Sequence, residues 1–161
     1  EKPRPRKRRS NKMNLDVLRE QLSADEGCRF EVYLDHLGLP TFGIGHLIRP
    51  ADPEHGQPVG TPVSRERVAQ VFERDIAVVI EDCHNLYEDF DELPEEAQLI
   101  IANMMFNLGL PRLSKFKMMK EAVDARDFVE AANQMVDSKW YRQVPNRAMR
   151  LVKRMRSIDN G

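Results

Sequence analysis

Residues 25–47, DEGCRFEVYLDHLGLPTFGIGHL, change the period of the chain, and that change sets the fold class. Before Glu26 the apolar residues Leu15, Leu18 and Leu22 recur at helical spacing. From Phe30 onward the spacing becomes two. Phe30, Val32 and Leu34 alternate with polar neighbours, Gly38 and Pro40 mark a turn, and TFGIGHLI (41–48) resumes an extended pattern. A short amphipathic helix is predicted, capped by Asn14 and ended by Gly27, leading into a β-hairpin with a third short strand.

Residues 49–63 hold four prolines and two glycines and read as a loop. Ser64 then caps a long predicted helix with an apolar stripe of Val68, Val71, Phe72, Ile76, Val79, Ile80 and Cys83, long enough to be a connecting rod. Beyond Pro94, helical spacing returns through Leu99–Phe106 and stops at Gly109. Further amphipathic segments are predicted at 112–123, 127–136 and 145–156, the last opened by Pro145. No internal repeat interrupts this order. The prediction is an α+β, mainly helical fold. It has an N-terminal helix and β lobe (13–63), a connecting helix (64–90) and a helical lobe (91–161).

Charge is unevenly distributed. Residues 1–12 carry seven Lys/Arg against one Glu, 13–96 carry 19 acidic against 6 basic residues, and 97–161 carry 6 acidic against 12 basic. The first twelve residues are expected to be a disordered basic tail. No aromatic residue interleaves those charges, which argues against nucleic acid as a partner. No run approaches the roughly 20 apolar residues of a membrane span, so stable membrane insertion is not expected, and no signal peptide is read in the chain. Cys28 and Cys83 each fall in an apolar pattern and read as two buried free thiols, with a disulfide as the alternative. Trp140, Tyr141 and the methionines Met104, Met105, Met118 and Met119 read as core of the helical lobe.

Glycoside hydrolysis generally needs two carboxyl groups flanking the scissile bond, one protonated and one ionised. With 26 acidic residues in the chain, composition singles out no pair. Context does better. Glu26 falls in the last turn of the first helix, where the negative end of the dipole favours the protonated acid. Asp35 comes nine residues later, where the first strand enters its turn, and a hairpin folding back on the helix end brings both to one place. On periodicity alone, a helix-terminal Glu and a turn Asp with structural jobs remain the alternative.

The run DEG at 25–27, with Tyr33, Asp35 and TFGIGHL at 41–47, resembles the active-site segment of the T-even phage lysozymes. The resemblance returns in NMMFNLG (103–109), at Phe116 and in SKWYRQVPNRAMR (138–150). It implies the two-lobed lysozyme-like fold and an inverting muramidase acting between N-acetylmuramic acid and N-acetylglucosamine in bacterial peptidoglycan. Glu26 would be the general acid, Asp35 the carboxylate that orients water, and Thr41 a residue holding that water. Inversion implies carboxyl groups roughly 6.5–9.5 Å apart. His46 and Arg147 would support the site. Arg147 matches an arginine beside the catalytic Glu in relatives, where a cation favours the ionised form and opposes the helix-end effect. Leu47, Phe106 and Gln134 match substrate-contact positions.

No cofactor and no metal are implied, and a monomer is expected. The place of action would be the bacterial wall, reached by secretion or by release of a phage enzyme into the host periplasm. Departures from the family include a shorter loop after His46, and Met119 and Gln134 where relatives carry serine and asparagine. Two other readings stand beside the muramidase: a wall-binding module without turnover, and a hydrolase of a related glycan such as chitin.

Overall fold

A computed structural model describes residues 12–159. The predicted basic tail lies outside the described residues except for Lys12. The fold is mainly helical α+β with one three-stranded antiparallel sheet of order β1–β2–β3. The elements are α1 (Leu15–Glu26), β1 (Arg29–Leu34), β2 (Pro40–Gly43), β3 (His46–Leu47), α2 (Arg65–Leu86), a 3-10 turn (Phe90–Glu92), α3 (Glu95–Leu108), α4 (Leu110–Leu113), α5 (Lys117–Asp124), α6 (Phe128–Val136), α7 (Lys139–Gln143) and α8 (Pro145–Arg156). Two compact units emerge, one of Asp16–Glu81 and one of the chain from Asp82 onward together with the segment ending at Leu15. Among the described residues no helix is long and apolar enough to cross a membrane.

The first unit is organised by an irregular hairpin. Arg29 pairs with Gly43 but Tyr33 pairs with Thr41, so β1 spends two more residues than β2 over the same stretch. The intervening residues bond to the end of the proline-rich loop instead. Val63 N–H donates to Phe30 O (2.9 Å), Val32 N–H to Thr61 O (2.9 Å) and Gly60 N–H to Val32 O (2.8 Å). This bulge breaks the alternation expected of the strand. Only Val32 enters the core, with Phe42, Val63, Val68 and Val71, while Phe30 and Leu34 are exposed. The Arg65 guanidinium covers the Phe30 ring at 4.7 Å. Helix α2 begins as expected, with Ser64 Oγ accepting from Arg67 N–H at 3.1 Å.

In the second unit ten of the fourteen residues of α3 are buried, which makes it the central helix of that unit. Helices α5 and α6 pack together, and α8 packs on α3, α6 and α7. Two asparagines interrupt the apolar run of α3 for a reason the sequence did not disclose. Asn107 Oδ1 accepts from the buried Trp140 indole N–H at 2.7 Å, and Asn103 Oδ1 accepts from Arg147 Nε at 2.8 Å.

Several expectations are corrected. The segment 112–123 is two helices, because the chain turns at Ser114–Phe116. A further helix, α7, forms where none was predicted; Ser138 caps it by accepting from Tyr141 N–H at 3.2 Å. Both cysteines are free, but only Cys83 is buried, since Cys28 lies in the exposed link between α1 and β1. Met118 is exposed on α5 and Tyr141 is half-buried, whereas Met104, Met105, Met119 and Trp140 are core.

Candidate active site

Glu26 is the final residue of α1. Gly27 adopts φ +71° and donates its N–H to Ser23 O at 2.9 Å, ending the helix there. The Glu26 side chain is half-buried, and the backbone of Gly45 approaches it closely. A Cβ built on Gly45 would stand 2.5 Å from Glu26 Oε2, and Gly45 itself has φ +61°. The positive φ favours glycine here, and any side chain would push the Glu26 carboxyl aside. The sequence motif contained Gly45, but nothing in its spacing disclosed that role.

Asp35 builds the turn after β1. Its Oδ1 accepts from the N–H groups of Leu37 and Leu39, each at 2.9 Å. Its own N–H donates to Leu39 O, and its carbonyl accepts from Gly38 N–H, both at 2.9 Å. This self-capping turn is a common use of aspartate. It leaves Oδ2 available to accept from solvent.

Thr41 lies across from Tyr33 in one direction and from Leu47 in the other. Only 3% exposed, it donates its hydroxyl proton to Leu39 O at 2.9 Å. A hydroxyl that spends its single proton this way can meet a further partner only as an acceptor. Tyr33 ties the carboxylates together. Burial, then the negative charge of Glu26, push its phenol pKa up; the Arg29 guanidinium, 4.5 Å over the ring, opposes them, and Asp35 adds to the rise. Glu26 and Asp35 thus both act on one phenol.

His46 anchors the loop that follows β3. Its Nδ1 lies 2.8 Å from Asp75 Oδ2 and its Nε2 2.8 Å from Asp52 Oδ2. Ionised carboxylates only accept, so the two contacts are both satisfied as hydrogen bonds when the ring carries a proton on each nitrogen. Burial lowers the pKa of His46, but the two carboxylates outweigh it and the net direction is upward. Asp52 shifts downward: its burial opposes the change, while the Arg49 N–H, His46 and Arg67 carry it. Arg67 also donates from Nε to the buried Glu54 at 2.8 Å. None of these partners of His46 was singled out in the sequence, because acids in a proline-rich loop and on a helix face carry no periodic signal.

Glu26, Asp35, Thr41, His46 and Leu47 all belong to the Asp16–Glu81 unit, and Leu47 is exposed on β3. Phe106, Gln134 and Arg147 belong to the other unit. There Phe106 is half-buried on α3, and Gln134 on α6 donates from Nε2 to Glu130 at 2.7 Å. Arg147 is buried on α8 against Asn103. Among the described residues no cluster of three or more His, Cys, Asp or Glu side chains is arranged to hold a metal ion.

Comparison with known proteins identifies the family of the chain. The family model described as phage lysozyme matches residues 23–157, a span that includes Glu26, Asp35 and Thr41. The chain is 30% identical over 157 residues to a probable T4-type lysozyme 2 of Dictyostelium discoideum, covering 86% of this chain and 92% of that protein. It is 32% identical to the pre-baseplate central spike protein Gp5 of Enterobacteria phage T4, over 83% of this chain and 26% of Gp5. It is 29% identical to the peptidoglycan hydrolase gp36 of Pseudomonas phage phiKMV, over 89% of this chain and 16% of gp36. A helix-terminal glutamate, a turn aspartate and a buried strand threonine thus fall inside a match spanning most of the chain, which belongs to the phage lysozyme family.

Proposed function

We propose that the chain is a muramidase that hydrolyses the β-1,4 bond between N-acetylmuramic acid and N-acetylglucosamine in bacterial peptidoglycan, with inversion. Glu26, in its acid form, gives its proton to the glycosidic oxygen as the bond to the anomeric carbon breaks and its electron pair stays with that oxygen. A water attacks the anomeric carbon from the opposite face and loses a proton to Asp35, whose Oδ2 is free to receive it. Thr41, accepting from the same water, aims it. His46 and Arg147 hold the surrounding structure, and Leu47, Phe106 and Gln134 contact the glycan. The enzyme works as a monomer on the bacterial wall and needs no cofactor.

The observation that carries this reading is that one small sheet meets both acids, its β2–β3 turn setting Gly45 against the Glu26 carboxyl and its β1–β2 turn being built on Asp35. The test is hydrolysis of purified peptidoglycan, followed by NMR of the first-formed product. Release of reducing N-acetylmuramic acid ends in the α configuration is expected. A β product would overturn the inverting mechanism. Binding to peptidoglycan without release of reducing ends would overturn the enzymatic reading itself.

A further inference from the structure

Asp52 lies in the proline-rich loop between Pro50 and Pro53, whose rings restrict the backbone on both sides of it. One of its oxygens makes two contacts. Oδ2 is 2.8 Å from His46 Nε2 and accepts from the Arg49 N–H at 2.8 Å. Those partners stand immediately before and after Leu47 and Ile48. The Asp52 N–H donates in turn to Arg49 O at 3.0 Å, which closes a tight turn. Its other oxygen, Oδ1, is 3.7 Å from the Arg67 guanidinium on α2. A single carboxylate therefore grips both ends of the step by which the chain leaves the sheet, and ties that step to the long helix.

Leu47 has little else to hold it. Strand β3 is two residues long, with Leu47 opposite Thr41 and His46 opposite Phe42. The Leu47 side chain is 46% exposed, so core packing does not fix it. Hydrogen bonds to an ionised group are roughly twice as strong as those between neutral groups, and Asp52 accepts on both sides of this residue. We propose that Asp52 is a positioning residue for glycan binding, presenting Leu47 to the sugar without touching it. The proposal rests on the muramidase reading for the role of Leu47, and on the contacts of Asp52 alone for the clamp. Glu54 supplies the contrast. It is buried in the same loop, but its carboxylate accepts from Arg67 Nε at 2.8 Å and so fastens the loop to α2 rather than to the strand end.

The test combines kinetics with amide exchange in the whole chain. Asp52→Ala is expected to raise KM for purified peptidoglycan about fivefold, the size expected when one half-exposed leucine loses its apolar contact. Its kcat should stay within about twofold, as befits a residue that serves binding. Asp52→Asn keeps an acceptor oxygen and should recover most of the difference. Asp52→Ser, one bond too short for both contacts, should behave as alanine does and covers the case in which the alanine variant does not fold. Exchange of the Arg49 amide, followed by NMR, should quicken at least about tenfold in the alanine or serine variant. Glu54→Gln should lower the melting temperature and leave KM unchanged. Leu47→Ala should raise KM by itself, and adding Asp52→Ala to it should raise KM no further, because residues that act through one another are not additive. An equal rise in KM with and without Leu47 would overturn the proposal. So would unaltered Arg49 exchange, or a rise in KM in Glu54→Gln as large as that in Asp52→Ala, which would make loop stability the cause. If the original chain releases no reducing ends, the muramidase reading fails while Arg49 exchange still decides the clamp.

Discussion

Gly45 and Glu26 approach so closely that a Cβ on Gly45 would stand 2.5 Å from Glu26 Oε2 and force the carboxyl to shift. The positive φ of Gly45 adds a cost of roughly 1–2 kcal/mol for any L side chain. Gly45→Ala is therefore expected to lower kcat by at least about tenfold by displacing the acid. Paired kinetics and thermal melts check this. Unaltered kcat alongside a lowered melting temperature would separate the glycine from the chemistry.

Glu26→Gln keeps the shape of the side chain and removes the transferable proton. General acid catalysis contributes about 10²–10⁴-fold, so kcat is expected to fall by about that factor while the circular dichroism spectrum stays unchanged. Turnover within a few-fold of the original would move the acid to another residue.

Thr41→Val preserves volume and branching in a buried position and deletes the hydroxyl that bonds Leu39 O. The loss of one positioned hydrogen bond is worth about 1 kcal/mol, which lowers kcat by about five- to tenfold with KM little changed. Thr41→Ser should recover most of the rate. A serine variant as slow as the valine variant would show that the hydroxyl alone does not sustain the rate.

The His46 cluster makes stability depend on pH with a definite sign. The His46 pKa is raised on folding, so its contribution is complete below about 6.5 and fades as pH rises through the folded value. That of Asp52 is lowered, so its contribution is complete above about 3.9 and fades as pH falls through its folded value. The cluster is thus strongest between about pH 4 and 6.5. Asp75 faces the same ring from α2. Asp75→Asn is expected to cost about 1.5–3 kcal/mol at pH 5.5, and less at pH 9. Thermal melts across pH check this; a penalty that stayed constant from pH 5.5 to 9 would mean that the ring is not held charged.

The sequence disclosed most where local periodicity and side-chain chemistry agree. Helix α1 ends at Gly27, the long helix α2 starts at Ser64, and α3 stops at Gly109, each marked by its own terminating or capping residue. It disclosed least where a distant partner decides the outcome. Phe30 and Val32 share one alternation in the sequence, but residues 60–63 claim that part of the strand, and Phe30 is exposed where Val32 is buried. Short α7 carries too few residues to show a period, and its cap, Ser138, is clear only in the folded chain. The candidate site residues stand out in the sequence through their motif, while the groups that bond to them do not. Asn103 behind Arg147 lies 44 residues away, and Asp75 behind His46 lies 29.

One oxygen of Asp35 staples the hairpin corner through the amides of Leu37 and Leu39, while the other takes no part in that turn. Under the proposed chemistry, a single side chain both folds the corner and turns over substrate. Evolution cannot then adjust its basicity without also retuning the corner, and a variant that deletes the whole side chain reports two losses at once. Asparagine, which can still accept from both amides, isolates the chemical loss; alanine removes both.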